Sequence, residues 1–197
     1  MNNLLNIPNI LSILRILLSP FFLLLIIFPA NLQIVIAVIA LFVIASITDF
    51  LDGYIARKYK LITKIGQILD PVADKLMITF ALLTFVYLNL IPIWIVVIIL
   101  LRELSITIHR FYLLGKNRVA PATNSGKYKV TIQMLMIFLI LISIAVSIGG
   151  NKERIVSTSF LKLAEQSAIW LALILSVLSG VEYFVKYISN SRKISSR

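Results

Sequence analysis

The chain has four aspartates, Asp49, Asp52, Asp70 and Asp74, and all of them lie within 26 residues of a 197-residue sequence. They fall at the edges of strongly apolar runs, where an ionised carboxylate is expensive unless something compensates it. At about 100° per residue, Asp49, Asp52, Gly53, Ala56 and Arg57 occupy an arc of roughly 140° on one helix. Gly66, Asp70 and Asp74 span about 80° on the next, provided that helix is continuous there. Pro71 is best tolerated in a first turn, so the alternative makes Asp70 the N-cap of that helix. Eight residues separate Arg57 from Gly66, enough to make the two helices antiparallel neighbours with their polar faces together near one membrane surface.

Four carboxylates sharing a pocket repel one another and ionise together only with countercharge. Arg57 and Lys75 supply part of it. Hard divalent cations supply it better, and an all-oxygen set without cysteine or a nearby histidine favours Mg²⁺, Mn²⁺ or Ca²⁺ over zinc. Four acids with bridging oxygens can hold two such ions, an arrangement that clamps phosphate oxygens and acidifies a bound hydroxyl. Gly53, Ala56 and Gly66 leave bare backbone beside the acids for a flat or phosphorylated ligand. Close packing of membrane helices produces the same small residues.

The elements that must position these groups follow from composition. The chain is 60% hydrophobic with a mean hydropathy of +1.01, and apolar stretches long enough to cross a bilayer recur along it. Segments fall at 7–28, 33–57, 66–88, 92–115, 127–148 and 160–188. The basic residues alternate between the connections. Arg57, Lys58, Lys60 and Lys64, then Lys116, Arg118, Lys127 and Lys129, then Lys186, Arg192, Lys193 and Arg197 put twelve on one side. Only Lys152, Arg154 and Lys162 stand on the other, which predicts six transmembrane helices with both termini cytoplasmic. Residues 2–15 read either as beginning with a short interfacial helix, with Pro8 in its first turn and Asn9, Ser12 and Arg15 on its polar side, or as the frayed start of the first span. The N-terminus lacks a basic region and a cleavage site and reads as retained. With no linker or repeat, the whole of 1–197 is expected to be a single all-α membrane domain. The net charge of +11 is explained by this alternation rather than by nucleic acid, and the absence of cysteine excludes disulfides and thiolate chemistry.

The acids and their neighbours spell DxxDGxxAR, eight residues, GxxxDxxxD, from Asp49 to Asp74. This is the signature of the CDP-alcohol phosphatidyltransferase family, which the chain resembles at every defining position. "NIPNILSILR", "GQILDPVADK", "RELSITIHR" and "SGKYKVTIQ" look like the corresponding stretches of its bacterial phosphatidylglycerophosphate synthases. The resemblance implies a six-helix fold, usually dimeric, with a polar cavity open to the cytoplasm at the bacterial inner membrane. It implies that Asp49, Asp52, Asp70 and Asp74 bind two divalent cations, Mg²⁺ or Mn²⁺. Asp74 would also take the proton from the acceptor hydroxyl. Gly53, Ala56, Arg57 and Gly66 would contact the CDP part of the donor. The expected donor is CDP-diacylglycerol and the expected acceptor sn-glycerol 3-phosphate, giving phosphatidylglycerophosphate and CMP.

The motif does not name the acceptor, and the remaining embedded cations are the local evidence. Arg102, Arg110, Lys127 and Lys129 can all reach toward the acidic helices and bind a phosphate. An Arg102–Glu103 ion pair and ordinary surface anchoring of Lys127 and Lys129 are the plain alternatives. Glu103 and Arg110 share a face two turns apart. His109, the only histidine, reads as a packed residue rather than a base, and Trp94 and Trp170 as interfacial or packing residues. A cardiolipin synthase would use the same motif with phosphatidylglycerol. An ion-coupled transporter would place its acids near the midplane between repeats, and no repeat is visible. A structural subunit would merely pair the acids with Arg57 and Lys75.

Overall fold

A computed structural model of the chain describes residues 7–28, 31–58, 66–115, 124–149 and 155–195. Every regular element in them is helical. Helix α1 (Ile7–Leu18) passes through a 3₁₀ stretch (Ser19–Leu23) into the single turn α2 (Leu24–Ile27). Helices α3 (Leu32–Lys58), α4 (Gly66–Tyr87), α5 (Ile93–Gly115), α6 (Asn124–Gly149) and α7 (Ile155–Ser195) follow. Local chemistry sets the boundaries. The Asn31 side chain accepts from the amides of Gln33 and Ile34 at 3.0 and 3.2 Å and caps α3. Asn89 takes a positive φ of 58° while Leu90 N–H reaches Phe85 C=O at 2.9 Å, closing α4 with a Schellman turn. Pro92 then precedes α5. Helix α4 is continuous from Gly66 across Pro71, so Asp70 lies inside the helix rather than capping it. The proline forfeits one bond, to the Gln67 carbonyl, close enough to the helix start for the turn to survive.

Polarity runs inside out. Along α1 and into the 3₁₀ stretch, Asn9, Ser12, Arg15 and Ser19 are buried while Ile10, Ile13, Leu14 and Leu17 face outward. The buried stripe packs on α3 and α4. A soluble protein would reverse this, since a polar face turned inward is stable only when the exterior is as apolar as lipid. Asn9–Ile27 is long and apolar enough to cross a membrane, as are Tyr128–Gly149 and Ser159–Ser189 among the described residues. Of the two readings of the N-terminus, the structure therefore supports the start of a span. Helix α5 carries Arg102 and Glu103 in mid-length and Arg110 towards its end, which lowers its apolar character. Hydroxyls along the helices fold back on their own backbone, as Ser46 does to Phe42 C=O at 2.8 Å and Ser105 to Leu101 C=O at 2.6 Å.

The bundle divides along its axis. Its apolar core draws on Met77–Phe85 of α4, Ile95–Ile99 of α5, Met136–Leu141 of α6 and Ala168–Leu173 of α7. The polar positions occupy the other end of the same helices: Asp74 and Lys75, Arg102 to Arg110, Lys129 and Gln133, and Ser176 to Tyr183. Because neighbouring helices run in alternating directions, one end of each sequence segment meets the opposite end of the next. Trp94 and Trp170 pair with ring centroids 5.9 Å apart, near the beginning of α5 and the middle of α7, as packing partners.

Candidate active site

The polar end holds a cavity of about 610 Å³. Three helices each present one face to it, with residues at i, i+3, i+4 and i+7 or part of that series. From α4 come Pro71, Asp74, Lys75 and Ile78; from α5, Arg102, Glu103, Ile106, Thr107 and Arg110; from α6, Gly126, Lys129 and Val130. Tyr183 closes it from α7. Its charged lining is four cations, Lys75, Arg102, Arg110 and Lys129, against two carboxylates, Asp74 and Glu103. The excess positive charge suits an anion.

Glu103 organises one wall. Its Oε1 accepts from Lys129 Nζ and, at 3.0 Å, from Arg102 Nη1. Lys129 is only 2% exposed, so it is an interior partner of Glu103 and not a surface anchor. Arg102 extends further, donating from Nη2 to Ser179 Oγ at 2.8 Å. It can lie along α7 because residue 180 is glycine, where an added Cβ would stand 3.2 Å from Arg102 Cγ. The expected Arg102–Glu103 pair is present, and it also lines the cavity. Glu103 and Arg110 do share a cavity-facing side.

The second carboxylate of the lining is Asp74, half-buried, with Oδ1 accepting from Arg15 Nη1 of α1. Arg15 is 2% exposed. Sequence reasoning placed Arg15 on a polar helix face but gave it no partner. The signal was the stripe Asn9, Ser12, Arg15 and Ser19, whose spacing marks a buried face as readily as a wetted one.

Of the remaining expected site residues, Asp49, Asp52, Gly53, Ala56 and Arg57 lie on unbroken α3, and Gly66 and Asp70 on α4. Lys127 lies on α6. Their side chains are outside the described residues, as are Lys116 and Arg118 altogether. Among the described residues no three acidic, histidine or cysteine side chains converge. Helix α1 packs against both α3 and α4, and both border α6, so the two acid-bearing helices are tied to common neighbours.

His109 is a packing residue. Its Nδ1 lies 2.9 Å from the Tyr183 hydroxyl, and the rings of Tyr112, Phe184 and Tyr187 surround it. Tyr183 and Lys75 are cavity residues that were not expected as acceptor contacts. Tyrosine is too common in membrane helices to stand out, and Lys75 was read only as countercharge for the acids.

Residues 5–178 match the family described as CDP-alcohol phosphatidyltransferase. The chain belongs to that family. Among curated relatives, the CDP-diacylglycerol–glycerol-3-phosphate 3-phosphatidyltransferase of Bacillus subtilis is 36% identical, covering 92% of this chain and 94% of its own length. The enzyme of that name from Rickettsia typhi is 34% identical over 91% and 95%. A probable phosphatidylglycerophosphate synthase of Mycobacterium tuberculosis is 33% identical over 92% and 81%. For a CDP-alcohol phosphatidyltransferase, a cavity that pairs Asp74 of the acidic motif with four cations is an arrangement in which a phosphate-bearing acceptor can meet the acids.

Proposed function

We propose that the chain transfers a phosphatidyl group from CDP-diacylglycerol to sn-glycerol 3-phosphate, giving phosphatidylglycerophosphate and CMP. The observation that carries this reading is the shared cavity of Asp74, Lys75, Arg102, Arg110 and Lys129. A glycerol phosphate brings two needs there: its phosphate seeks fixed cations, and its hydroxyl must meet a proton acceptor. A lipid acceptor lacking a phosphate monoester would leave that excess positive charge unused. The names of the relatives support the same acceptor.

The acidic residues fit a pair of divalent cations. Uninterrupted helix carries Asp49 and Asp52 on α3, and Asp70 and Asp74 one turn apart on α4. The Asp74 carboxylate is part-exposed at the cavity wall. Asp49, Asp52, Asp70 and Asp74 would hold the ions, which when bound supply positive charge to the carboxylates and to the donor diphosphate. Gly53, Ala56, Arg57 and Gly66 receive the CDP portion. Arg102, Arg110, Lys129, Lys127 and Lys75 draw in the acceptor phosphate, Glu103 keeping Arg102 and Lys129 in place. Asp74 takes the acceptor's hydroxyl proton while Arg15 fixes its carboxylate. The new bond joins the acceptor oxygen to the lipid-side phosphorus, and the bond from that phosphorus to CMP breaks. Most of the rate comes from positioning and charge stabilisation. The same reading makes α1–α2 and α3 to α7 six spans of a bacterial inner membrane. Both termini and the cavity then face the cytoplasm, and the protein works as a homodimer.

Purified protein in mixed micelles with CDP-diacylglycerol and Mg²⁺ or Mn²⁺ tests the assignment, with labelled glycerol 3-phosphate and labelled phosphatidylglycerol offered in parallel. Lipid-linked label from glycerol 3-phosphate, lost in Asp74→Asn, is the expected result. Transfer to phosphatidylglycerol alone would make it a cardiolipin synthase, and transfer to neither would remove the assignment.

A further inference from the structure

Arg110 differs from the other cavity cations in how it is held. Lys129 and Arg102 both bond to Glu103. Arg110, near the end of α5, is exposed, and its guanidinium carbon stands 5.7 Å from the centroid of the Tyr183 ring. That distance is within cation–π range. Tyr183 is itself fully buried and anchored twice. Its hydroxyl meets His109 Nδ1 at 2.9 Å, and its ring packs edge-on against His109 and Phe184, with centroids 5.6 and 5.5 Å apart. Tyr187 packs edge-on against His109 as well, with centroids 4.3 Å apart. His109 and Arg110 are adjacent on α5, while Tyr183 and Tyr187 sit one turn apart on α7. The ring cluster therefore rivets the end of α5 to α7 at the point where Arg110 enters the cavity.

We propose that Tyr183 is a positioning residue for the acceptor site: its ring, locked by His109, holds the Arg110 guanidinium where the acceptor's phosphate arrives. The inference rests on the reading of glycerol 3-phosphate as acceptor. An unpartnered arginine at a helix end samples many rotamers, and immobilising it on binding costs affinity. A tyrosine that pre-sets the guanidinium through its ring and its hydroxyl removes part of that cost and leaves the remaining N–H groups to face the phosphate. The effect belongs to binding of one substrate and not to the bond-making step. It should therefore appear in the KM for glycerol 3-phosphate while kcat and the KM for CDP-diacylglycerol stay put.

The test compares wild type with Tyr183→Phe, Tyr183→Leu, Arg110→Gln and the Tyr183→Leu/Arg110→Gln double variant, each assayed with both substrates varied. Tyr183→Leu is expected to raise the KM for glycerol 3-phosphate roughly twofold to fivefold, the span of a cation–π contact at an exposed site. Tyr183→Phe keeps the ring and loses the hydroxyl's ties to His109 and to Arg110, so a smaller rise is expected. In the Arg110→Gln background, Tyr183→Leu should add nothing. An unchanged KM in Tyr183→Leu overturns the proposal, as does a full additional rise in the double variant. Equal damage to both substrates and to kcat would mark Tyr183 as merely structural. If Tyr183→Leu does not yield folded protein, Tyr183→Phe and His109→Phe decide by the same split, and wild-type KM in both overturns the proposal. Wild type that transfers nothing to glycerol 3-phosphate removes the acceptor reading and this inference together; an active wild type with an indifferent Tyr183 removes the inference alone.

Discussion

Arg15 and Asp74, 59 residues apart in sequence, form an ion pair that joins α1 to α4 at the wall of the cavity. The arginine is buried and the carboxylate half-exposed. The helix that precedes the acidic motif thus reaches into it and orients its last carboxylate.

Replacing Arg15 should damage turnover more than substrate binding. Arg15→Met removes the partner and leaves Asp74 without its fixed direction, so kcat is expected to fall about 100-fold, the scale of a 1 Å misplacement of a reacting group. Arg15→Lys keeps charge but not the planar fork, and should retain about a tenth of the activity. Steady-state kinetics on detergent-purified protein decide this. A kcat within twofold of wild type in Arg15→Met would mean the pair is only an internal brace.

Removal of divalent ions should abolish transfer, and Mg²⁺ or Mn²⁺ should restore it. If the four carboxylates hold the ions as proposed, Asp49→Asn, Asp52→Asn, Asp70→Asn and Asp74→Asn are each expected to lower activity by at least about 1,000-fold, because each would remove a charged ligand. Isothermal titration of Mn²⁺ into wild type and variants gives a readout apart from turnover. Unaltered Mn²⁺ binding in all four would contradict the ligand assignment.

Glu103→Gln frees two cations at once. Arg102 and Lys129 lose the negative charge of the oxygen they share, a neutral amide oxygen remaining in its place, and the expected result is a tenfold or greater fall in kcat/KM for glycerol 3-phosphate, about 1.4 kcal/mol or more. Thermal stability should fall as well, since buried cations are left without their partner. Gly180→Val attacks Arg102 from behind, where even a Cβ stands 3.2 Å from its Cγ. That variant should lower activity in the same direction, by a smaller factor. Wild-type kinetics in both would show that Arg102 and Lys129 have no part in binding the acceptor.

At the opposite end of the bundle, Asn31→Ala should cost stability alone. It deletes the acceptor for the Gln33 and Ile34 amides, worth about 1 kcal/mol in a typical N-cap. Differential scanning in detergent should register a lowered Tm with kcat unchanged.

The helix boundaries were legible in the sequence because their causes are local. The expected segments 66–88 and 92–115 meet α4 at Gly66–Tyr87 and α5 at Ile93–Gly115, with Asn89 and Pro92 as punctuation. The last helix runs on to Ser195, beyond the expected 188. Hydropathy registers where apolar side chains stop, and a helix can continue into polar sequence. Arg102, Arg110 and Lys129 were found because charges inside spans are rare and conspicuous. Tyr183, Ser179 and Gly180 were not, since tyrosine, serine and glycine are ordinary membrane-helix residues. The partner of Arg15 was hidden for another reason: periodicity tells which face a residue occupies, whereas only tertiary packing tells which helix meets that face.

The inward stripe of α1 also bears on how the molecule is made. When α1 leaves the ribosome, Asp74 is still 59 residues away along the chain, and an arginine within a nascent span costs up to roughly 3 kcal/mol to insert. The first helix therefore enters the membrane incomplete and gains its counter-ion only when α4 arrives. Assembly of the cavity and secure insertion of the first span become one event, so a chain interrupted before α4 would leave behind a segment that translocation and quality-control machinery can recognise by its exposed charge.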